Sequence, residues 1–222
     1  QPFLVDNEAP TAPASLQSST HTISTWNRTN TLAISWTAAS DGDGIGVAGY
    51  GLIFTNDGSA SAPYELATAD TQTTSSELAD GANGYFYARA KDQYGNWGDD
   101  EALGPFWIDT MPPSTNNAAV VINKSQLGDY VVATAITGSW QNFQDTLSGI
   151  TGYYYDTQNQ EGTTTGTYTT DTNGSINASL NQTNTLYVWA KDQAGNIGKA
   201  AFASVHVLDP EGDLDDDGTS NY

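Results

Sequence analysis

The chain contains two copies of one unit, about 100 residues apart. The segment YARAKDQYGNWG at 87–98 corresponds to YVWAKDQAGNIG at 187–198, and GVAGY at 46–50 corresponds to GITGY at 149–153. Trp36 and Trp140 match in the same way. A period of this length is too long for a solenoid repeat and has the size of an autonomous domain. The duplication therefore predicts two tandem domains, 1–109 and 110–209, followed by an acidic tail at 210–222.

Within each copy the apolar residues recur at every second position, which is the period of a β-strand. Leu32, Ile34 and Trp36 follow this pattern in the first copy, and Tyr187 and Trp189 follow it in the second. Clusters of Gly, Asn, Asp and Pro interrupt such runs about every 8–12 residues, a spacing typical of sandwiches and barrels. The sequence therefore predicts an all-β fold with two tandem immunoglobulin-like β-sandwiches.

Composition excludes several classes of partner and site. The formal net charge is −20, with only 6 basic residues, too few to neutralise a row of phosphates. This argues against nucleic acid and anionic membrane surfaces as partners. No apolar run reaches the ~18 residues of a membrane helix, so no membrane insertion is expected. The chain has no Cys, which excludes disulfides, zinc–thiolate sites and thiol nucleophiles.

The pattern resembles the fibronectin type III and bacterial immunoglobulin-like domains of large secreted or surface proteins. The residues that carry the resemblance are the early Trp, the Gly-Tyr pair, the A-K-D-Q-x-G-N segment and the linker Ile108–Pro113. The resemblance implies that Trp36 and Trp140 are central core residues. It also implies a core role, as in a tyrosine corner, for Leu78 with Tyr87 and Leu180 with Tyr187. Because this fold hosts many unrelated roles, the resemblance says little about function.

The acidic tail contains the sharpest chemical signal in the chain. Residues 213–221 read DLDDDGTSN, which resembles the start of a thrombospondin type 3 calcium repeat. Alternate carboxylates converge on one hard cation in such loops, and the predicted ligands are Asp213, Asp215, Asp217, the Thr219 carbonyl and Asn221. The bidentate Glu expected at loop position 12 would fall beyond the last residue. A solvated acidic linker is the alternative.

The loops at each end, or pole, of the sandwiches are a second candidate for a calcium-binding site. In a sandwich of this type the strand-connecting loops at the entry pole bring several acidic or amide side chains together. At the free N-terminal pole these are Asp6, Asp41, Asp43, Asp92 and Asn96. At the junction between the copies they are Asp109, Asp145, Asp192 and Asn196, with Asp80 contributed by the opposite pole of the first copy. Clustered carboxylates repel each other unless a cation neutralises them, so calcium would stiffen the modules. Against this, Asp and Asn are favoured in turns for backbone reasons alone.

No catalytic motif is present, because the sequence contains neither G-x-S-x-G nor H-E-x-x-H. We therefore expect a protein that is not an enzyme. Trp97 has Ile197 as its counterpart and lies in a predicted loop. It is a candidate stacking platform for a sugar or a peptide, or alternatively an aromatic packed at the base of that loop.

These features favour an extracellular module of a large bacterial protein, joined to neighbouring domains of the same chain. The preferred function is a calcium-stiffened adhesion or spacer segment with an unknown protein or glycan ligand. The alternative is an accessory, carbohydrate- or substrate-binding module of a secreted hydrolase.

Overall fold

The computed structural model describes residues 5–124 and 130–212. It divides into two compact units, Gln1–Thr110 and Met111–Tyr222. The division falls one residue after the boundary predicted from the duplication. The residues predicted to form the calcium loop of the tail, 213–221, lie outside the described part of the chain. Within the described part, no helix is long and apolar enough to cross a membrane.

The described residues of the first unit, 5–110, form seven strands. They are β1 Ala14–Ser18, β2 Trp26–Asn27, β3 Ala33–Thr37, β4 Val47–Thr55, β5 Gln72–Thr74, β6 Gly81–Asp92 and β7 Trp97–Ile108. One sheet has the order β1-β3-β5, and the other has the order β2-β7-β6-β4. All neighbours are antiparallel except β2 and β7, which pair in parallel at the sheet edge.

In the second unit, the described segments 111–124 and 130–212 form eight strands. They are β8 Ala119–Ile122, β9 Tyr130–Val132, β10 Ala135–Gln141, β11 Ile150–Asp156, β12 Thr167–Thr169, β13 Asn173–Asn177, β14 Gln182–Asp192 and β15 Ile197–Leu208. The smaller sheet has the order β13-β10-β8 and the larger has the order β12-β11-β14-β15-β9. Two facing sheets of this kind are the architecture of immunoglobulin-type domains. The predicted all-β fold with two tandem sandwiches is therefore confirmed.

The core of each unit lies between its two sheets. It is formed by the inward-facing residues, which occur at every second position along the strands. In the first unit it contains Leu32, Ile34, Trp36, Tyr50, Phe86, Ala88, Ala90, Phe106 and Ile108. In the second it contains Ile122, Val131, Ile136, Trp140, Phe143, Tyr155, Leu186, Val188, Ala190, Val205 and Val207. Burial of this apolar area is the main force that holds each sandwich together.

The core prediction for the two tryptophans is confirmed, because Trp36 and Trp140 are both buried in their clusters. The same prediction is wrong for Leu180, which is 39% exposed. It is also wrong for Tyr187, which faces away from the core. Tyr187 follows Leu186 and precedes Val188, both core residues, so strand alternation directs its side chain outward. Tyr87 is buried on the corresponding outer face of the first unit rather than in the core cluster.

Candidate metal and ligand-binding sites

Three carboxylates meet at one pole of the first unit. Asp6, Asp41 and Asp92 each offer an oxygen, and these oxygens lie within 4.8 Å of one another. Asp92 ends β6, Asp41 follows β3, and Asp6 lies in the segment before β1. The antiparallel sandwich brings these three chain segments to one pole. The sequence prediction placed the same three residues there, together with Asp43 and Asn96.

Asp92 is buried and anchors the turn between β6 and β7. Its Oδ1 accepts hydrogen bonds from the amides of Gly95 (2.6 Å) and Asn96 (2.8 Å), and its Oδ2 accepts one from Asn96 Nδ2 (2.7 Å). Burial acts to raise the pKa of Asp92, but these hydrogen bonds from Asn96 and Gly95 outweigh it and lower the pKa below its usual value. Asp92 is therefore held ionised by its own turn.

The other two carboxylates receive fewer hydrogen bonds. Asp6 accepts one from the Glu8 amide (3.1 Å) and one from the Ile45 amide (3.2 Å). Asp41 Oδ2 accepts one from the Gly46 amide (2.8 Å), while Asp41 Oδ1 is buried and has no hydrogen-bond partner. A buried carboxylate oxygen without a partner is costly. Among the described contacts, Asp41 Oδ1 is the one carboxylate oxygen of the three residues that accepts no hydrogen bond.

The cluster borders an open groove of about 770 Å³. Four carboxylates line the groove: Asp6, Glu8, Asp41 and Asp43. Gly44 also lines it, and a Cβ at this position would clash with the Asp41 carboxylate and lie 2.8 Å from Asp6 Oδ2. A glycine is therefore required for the loop to pass this close to the two acids.

The second unit repeats the anchored turn. Asp192 is buried and accepts hydrogen bonds from the amides of Gly195 (2.7 Å) and Asn196 (2.7 Å) and from Asn196 Nδ2 (2.8 Å). Asp145 accepts a bond from the Gly149 amide (2.7 Å), and one of its oxygens lies within 4.8 Å of an oxygen of Asp192. The second unit thus brings together two of its predicted ligands.

Two further predicted ligands belong to the first unit. Asp109 is buried, and its amide donates a hydrogen bond to the Asn27 carbonyl (3.0 Å). Asp80 accepts hydrogen bonds from the amide (3.0 Å) and the hydroxyl (3.1 Å) of Thr110. Asp80 therefore holds the end of the first unit by a local hydrogen-bonded contact, and the junction site that combines it with Asp109 stays a prediction.

Trp97 is half-buried on the outer face of the larger sheet of the first unit, that is, the face turned away from the core. Tyr64 meets it edge-on, with ring centroids 5.8 Å apart, and Lys91 Nζ lies 5.3 Å from its ring centre. Tyr64 is 71% exposed and covers the Arg89 guanidinium at 4.1 Å. Trp97 therefore belongs to an aromatic and cationic surface, and its ligand role stays a prediction.

In both units a loop folds over the outer face of the larger sheet, a feature that the sequence analysis did not predict. Residues 56–71 cover Arg89 in the first unit, and residues 157–166 cover Trp189 in the second. The signal was present, because Arg89 and Trp189 occupy equivalent positions of the repeat. It was missed because alternation along a strand separates its two faces and does not show that a loop returns to bury a residue on the outer one.

No protein-family model matches the chain. The chain is 39% identical over 203 residues to Chitinase A1 of Niallia circulans, a match that covers 90% of the chain and 26% of that protein. The chain thus spans about a quarter of the length of this relative.

Similar solved structures include the fibronectin(III)-like modules of Clostridium thermocellum CbhA, with a TM-score of 0.46 and 14% identity. That match covers 88% of this chain and 95% of the other. Domains from titin match with a TM-score of 0.49 and 14% identity over 88% of this chain and 67% of theirs. Chitinase ChiA74 from Bacillus thuringiensis matches with a TM-score of 0.36 and 16% identity, over 93% of this chain and 28% of the other.

Proposed function

We propose that this chain is a non-catalytic accessory segment of a secreted bacterial enzyme that degrades a polysaccharide. The observation that carries the proposal is the 39% identity to part of a chitinase over nearly the whole chain. It favours the accessory role over the adhesion or spacer role that the sequence alone suggested first. An extracellular location and a neutral polysaccharide partner follow from the same proposal.

Within the carboxylate cluster, Asp92 has the character of a structural residue. A glycosidase needs one carboxylic acid whose pKa is raised, so that it can protonate the leaving group. The pKa of Asp92 is instead lowered by its hydrogen bonds. Asp92 therefore serves as an anchor for its turn rather than as a general acid.

Incubation of the intact chain with insoluble chitin and with cellulose tests the proposal. We expect depletion of the chain from the supernatant by at least one of the two polysaccharides, with no release of soluble sugar. Sugar release would contradict the non-catalytic role. A chain that stays in solution with both polysaccharides would contradict the accessory binding role and favour a spacer.

We further propose that calcium binds at Asp6, Asp41 and Asp92. The residues fit a hard cation, because all three ligands are carboxylates and Asp41 Oδ1 lacks any other partner. A bound ion would offset the mutual repulsion of the three charges and tie the segment before β1 to two strand-connecting loops. Within the second unit, sequence equivalence extends the proposal to Asp145 and Asp192, the counterparts of Asp41 and Asp92.

Thermal unfolding in calcium chloride and then in excess chelator tests the calcium proposal. A ligand that binds only the folded state stabilises it by about 2.7 kcal/mol at a concentration 100 times its Kd. We expect calcium to raise the Tm and Asp41→Asn to reduce the increase, because Asn retains the shape and loses the charge.

Asp43→Asn is the matched control, since Asp43 lines the same groove but lies outside the group of three. An equal calcium response in wild type and Asp41→Asn would contradict the proposed site. If that response then disappeared in Asp215→Asn, calcium would be assigned to the terminal loop.

A further inference from the structure

The outer face of the larger sheet of the second unit carries two pairs of aromatic rings. On β14 and β15, Tyr187 lies directly opposite Phe202, with ring centroids 5.5 Å apart. On β15 and β9, His206 lies opposite Tyr130, again with centroids 5.5 Å apart. We call these four residues the aromatic face.

Two residues of the aromatic face are exposed, and the other two, Tyr187 and His206, are half-buried. Phe202 is 64% exposed and Tyr130 is 47% exposed. Their strand neighbours Val205, Val207 and Val131 point into the core, so alternation holds the aromatic residues on the opposite side. Exposed rings of this size are costly to leave in water and mark surfaces that meet a partner.

Hydroxyl groups lie between the two aromatic pairs. Thr185 and Ser204 face each other across β14 and β15, with their hydroxyl oxygens 2.8 Å apart, and Thr183 lies opposite His206. A shallow cavity of about 330 Å³ adjoins them, lined by Tyr130, Thr183, Ser204, Val205 and His206. Hydroxyls and an imidazole both donate and accept hydrogen bonds, which suits a ligand rich in alcohol groups.

The spacing of the pairs suits an extended ligand. Phe202 and His206 are four residues apart on one strand, which corresponds to about 13 Å at ~3.3 Å per residue. The two ring pairs can therefore touch different units of one polymer chain, while Thr185 and Ser204 contact the stretch between them.

Charge also distinguishes this surface. Thr183, Thr185 and Ser204, which lie between the two ring pairs, are uncharged. A cation would need carboxylates there, and a polyanion would need lysines or arginines. An uncharged polymer needs neither.

The first unit shows that the fold does not require this arrangement. At the equivalent ladder position Tyr87 pairs with Ala102, where the second unit pairs Tyr187 with Phe202. Tyr87 is only 6% exposed, and the ring of Tyr85 lies 6.2 Å from it. Since alanine suffices for the same strand pair in one copy, Phe202 adds exposed surface rather than structural support.

We propose that the aromatic face binds a neutral polysaccharide chain, and this inference rests on the proposed accessory function. The apolar C–H faces of sugar rings pack on aromatic side chains, and sugar hydroxyls bond to Thr183, Thr185, Ser204 and His206. The ring pairs set the direction of the chain along β15.

Sedimentation of the intact protein with insoluble chitin and cellulose tests the inference. We expect Phe202→Ala combined with Tyr130→Ser to weaken binding at least 10-fold. Trp97→Ala tests the alternative surface of the first unit. Val121→Ala, at a position of the smaller sheet of the second unit that is 54% exposed, is the matched control and should leave binding within 2-fold. The Tm of each variant checks that it is folded. The first unit has Ala102 at the position that corresponds to Phe202, so we expect the second unit to tolerate alanine there.

The outcomes separate the two proposals. Wild-type binding that is lost in Trp97→Ala and kept in the double variant would overturn the aromatic face and leave the accessory function standing. Wild type that binds neither polysaccharide would overturn both. Loss of binding in the double variant alone supports the inference. Unchanged binding in both variants would overturn it.

Discussion

The two units build the same outer sheet face in opposite ways. In the first, the covering loop 56–71 lies over a charged residue, because Arg89 bonds to Ser61 and pairs with Asp100 at 3.4 Å. In the second, the covering loop 157–166 lies over Trp189, whose Nε1 donates to the Thr163 carbonyl (2.9 Å). Equivalent strand positions thus accept either an ion pair or an aromatic ring, provided that a loop shields it from water.

The bonds that fasten the loops also run in opposite directions. In the first unit, the loop amide of Ala62 donates to the carboxylate of Asp100 on β7 (3.0 Å). In the second, the β15 amide of Ala200, the counterpart of Asp100, donates to the loop carboxylate of Glu161 (2.9 Å). Both copies therefore keep the contact between loop and strand, but the carboxylate that accepts the hydrogen bond lies on the strand in the first unit and on the loop in the second.

Removal of the buried ring should have the largest effect. Trp189 is fully buried and stacks on Tyr154 with ring planes 17° apart. We expect Trp189→Ala to destabilise the second unit by about 3–5 kcal/mol, as large-to-small changes of buried aromatics do. Denaturant unfolding measures this, with Trp189→Phe as the milder control. A decrease of less than about 1 kcal/mol in the free energy of unfolding would contradict the idea that the Trp189 ring holds the loop in place.

Removal of the buried charge in the first unit should cost less. Arg89→Met keeps most of the apolar stem and removes the ion pair, and Asp100 retains its bond from the Ala62 amide. We expect a loss of about 1.5–3 kcal/mol in denaturant unfolding, the range for hydrogen bonds to charged groups. Adding Asp100→Asn should cost less in the Arg89→Met background than in wild type, and strict additivity would argue against coupling of the two residues.

Acid should weaken the loop contact of the first unit. Burial acts to raise the pKa of Asp100, but hydrogen bonds from Ala62 and Ser61 and the Arg89 charge outweigh it and lower the pKa. Its stabilisation is therefore present above the unfolded pKa of about 3.9 and is lost as pH falls through the folded pKa. We expect Asp100→Asn to flatten the fall in stability of the first unit below about pH 5. An unchanged pH profile in unfolding experiments would contradict this assignment.

The exposed ring should matter least for stability. We expect Phe202→Ala to change the free energy of unfolding by less than about 0.5 kcal/mol, as surface substitutions usually do. Val205→Ala, three residues further along β15 and directed inward, is the control and should cost about 2 kcal/mol. Equal losses for the two variants would show that Phe202 supports the fold and would weaken the distinction between the faces.

Much of this fold was readable from the sequence because it depends on short-range patterns. Alternation in β3 and the repeated A-K-D-Q-x-G-N segment predicted strands, core tryptophans and two domains. The meeting of Asp6, Asp41 and Asp92 was also predicted, since sandwich connectivity fixes which loops share a pole. The core role expected for Tyr187 was wrong, and the burial of Arg89 and Trp189 by a loop was not predicted, because alternation distinguishes two sides of a strand and cannot show which side a loop will cover.

Two duplicated β-sandwiches with acidic loops follow directly from the amino-acid sequence, since period-2 alternation, glycine-rich turns and charge are local properties. Long-range packing, in contrast, sets that the outer face of the first unit is covered over Arg89 and that the outer face of the second unit leaves Phe202 exposed. That outcome depends on where residues 56–71 and 157–166 return to their sheets. Contacts between residues far apart in the chain set that return, and no pattern within a single strand encodes them.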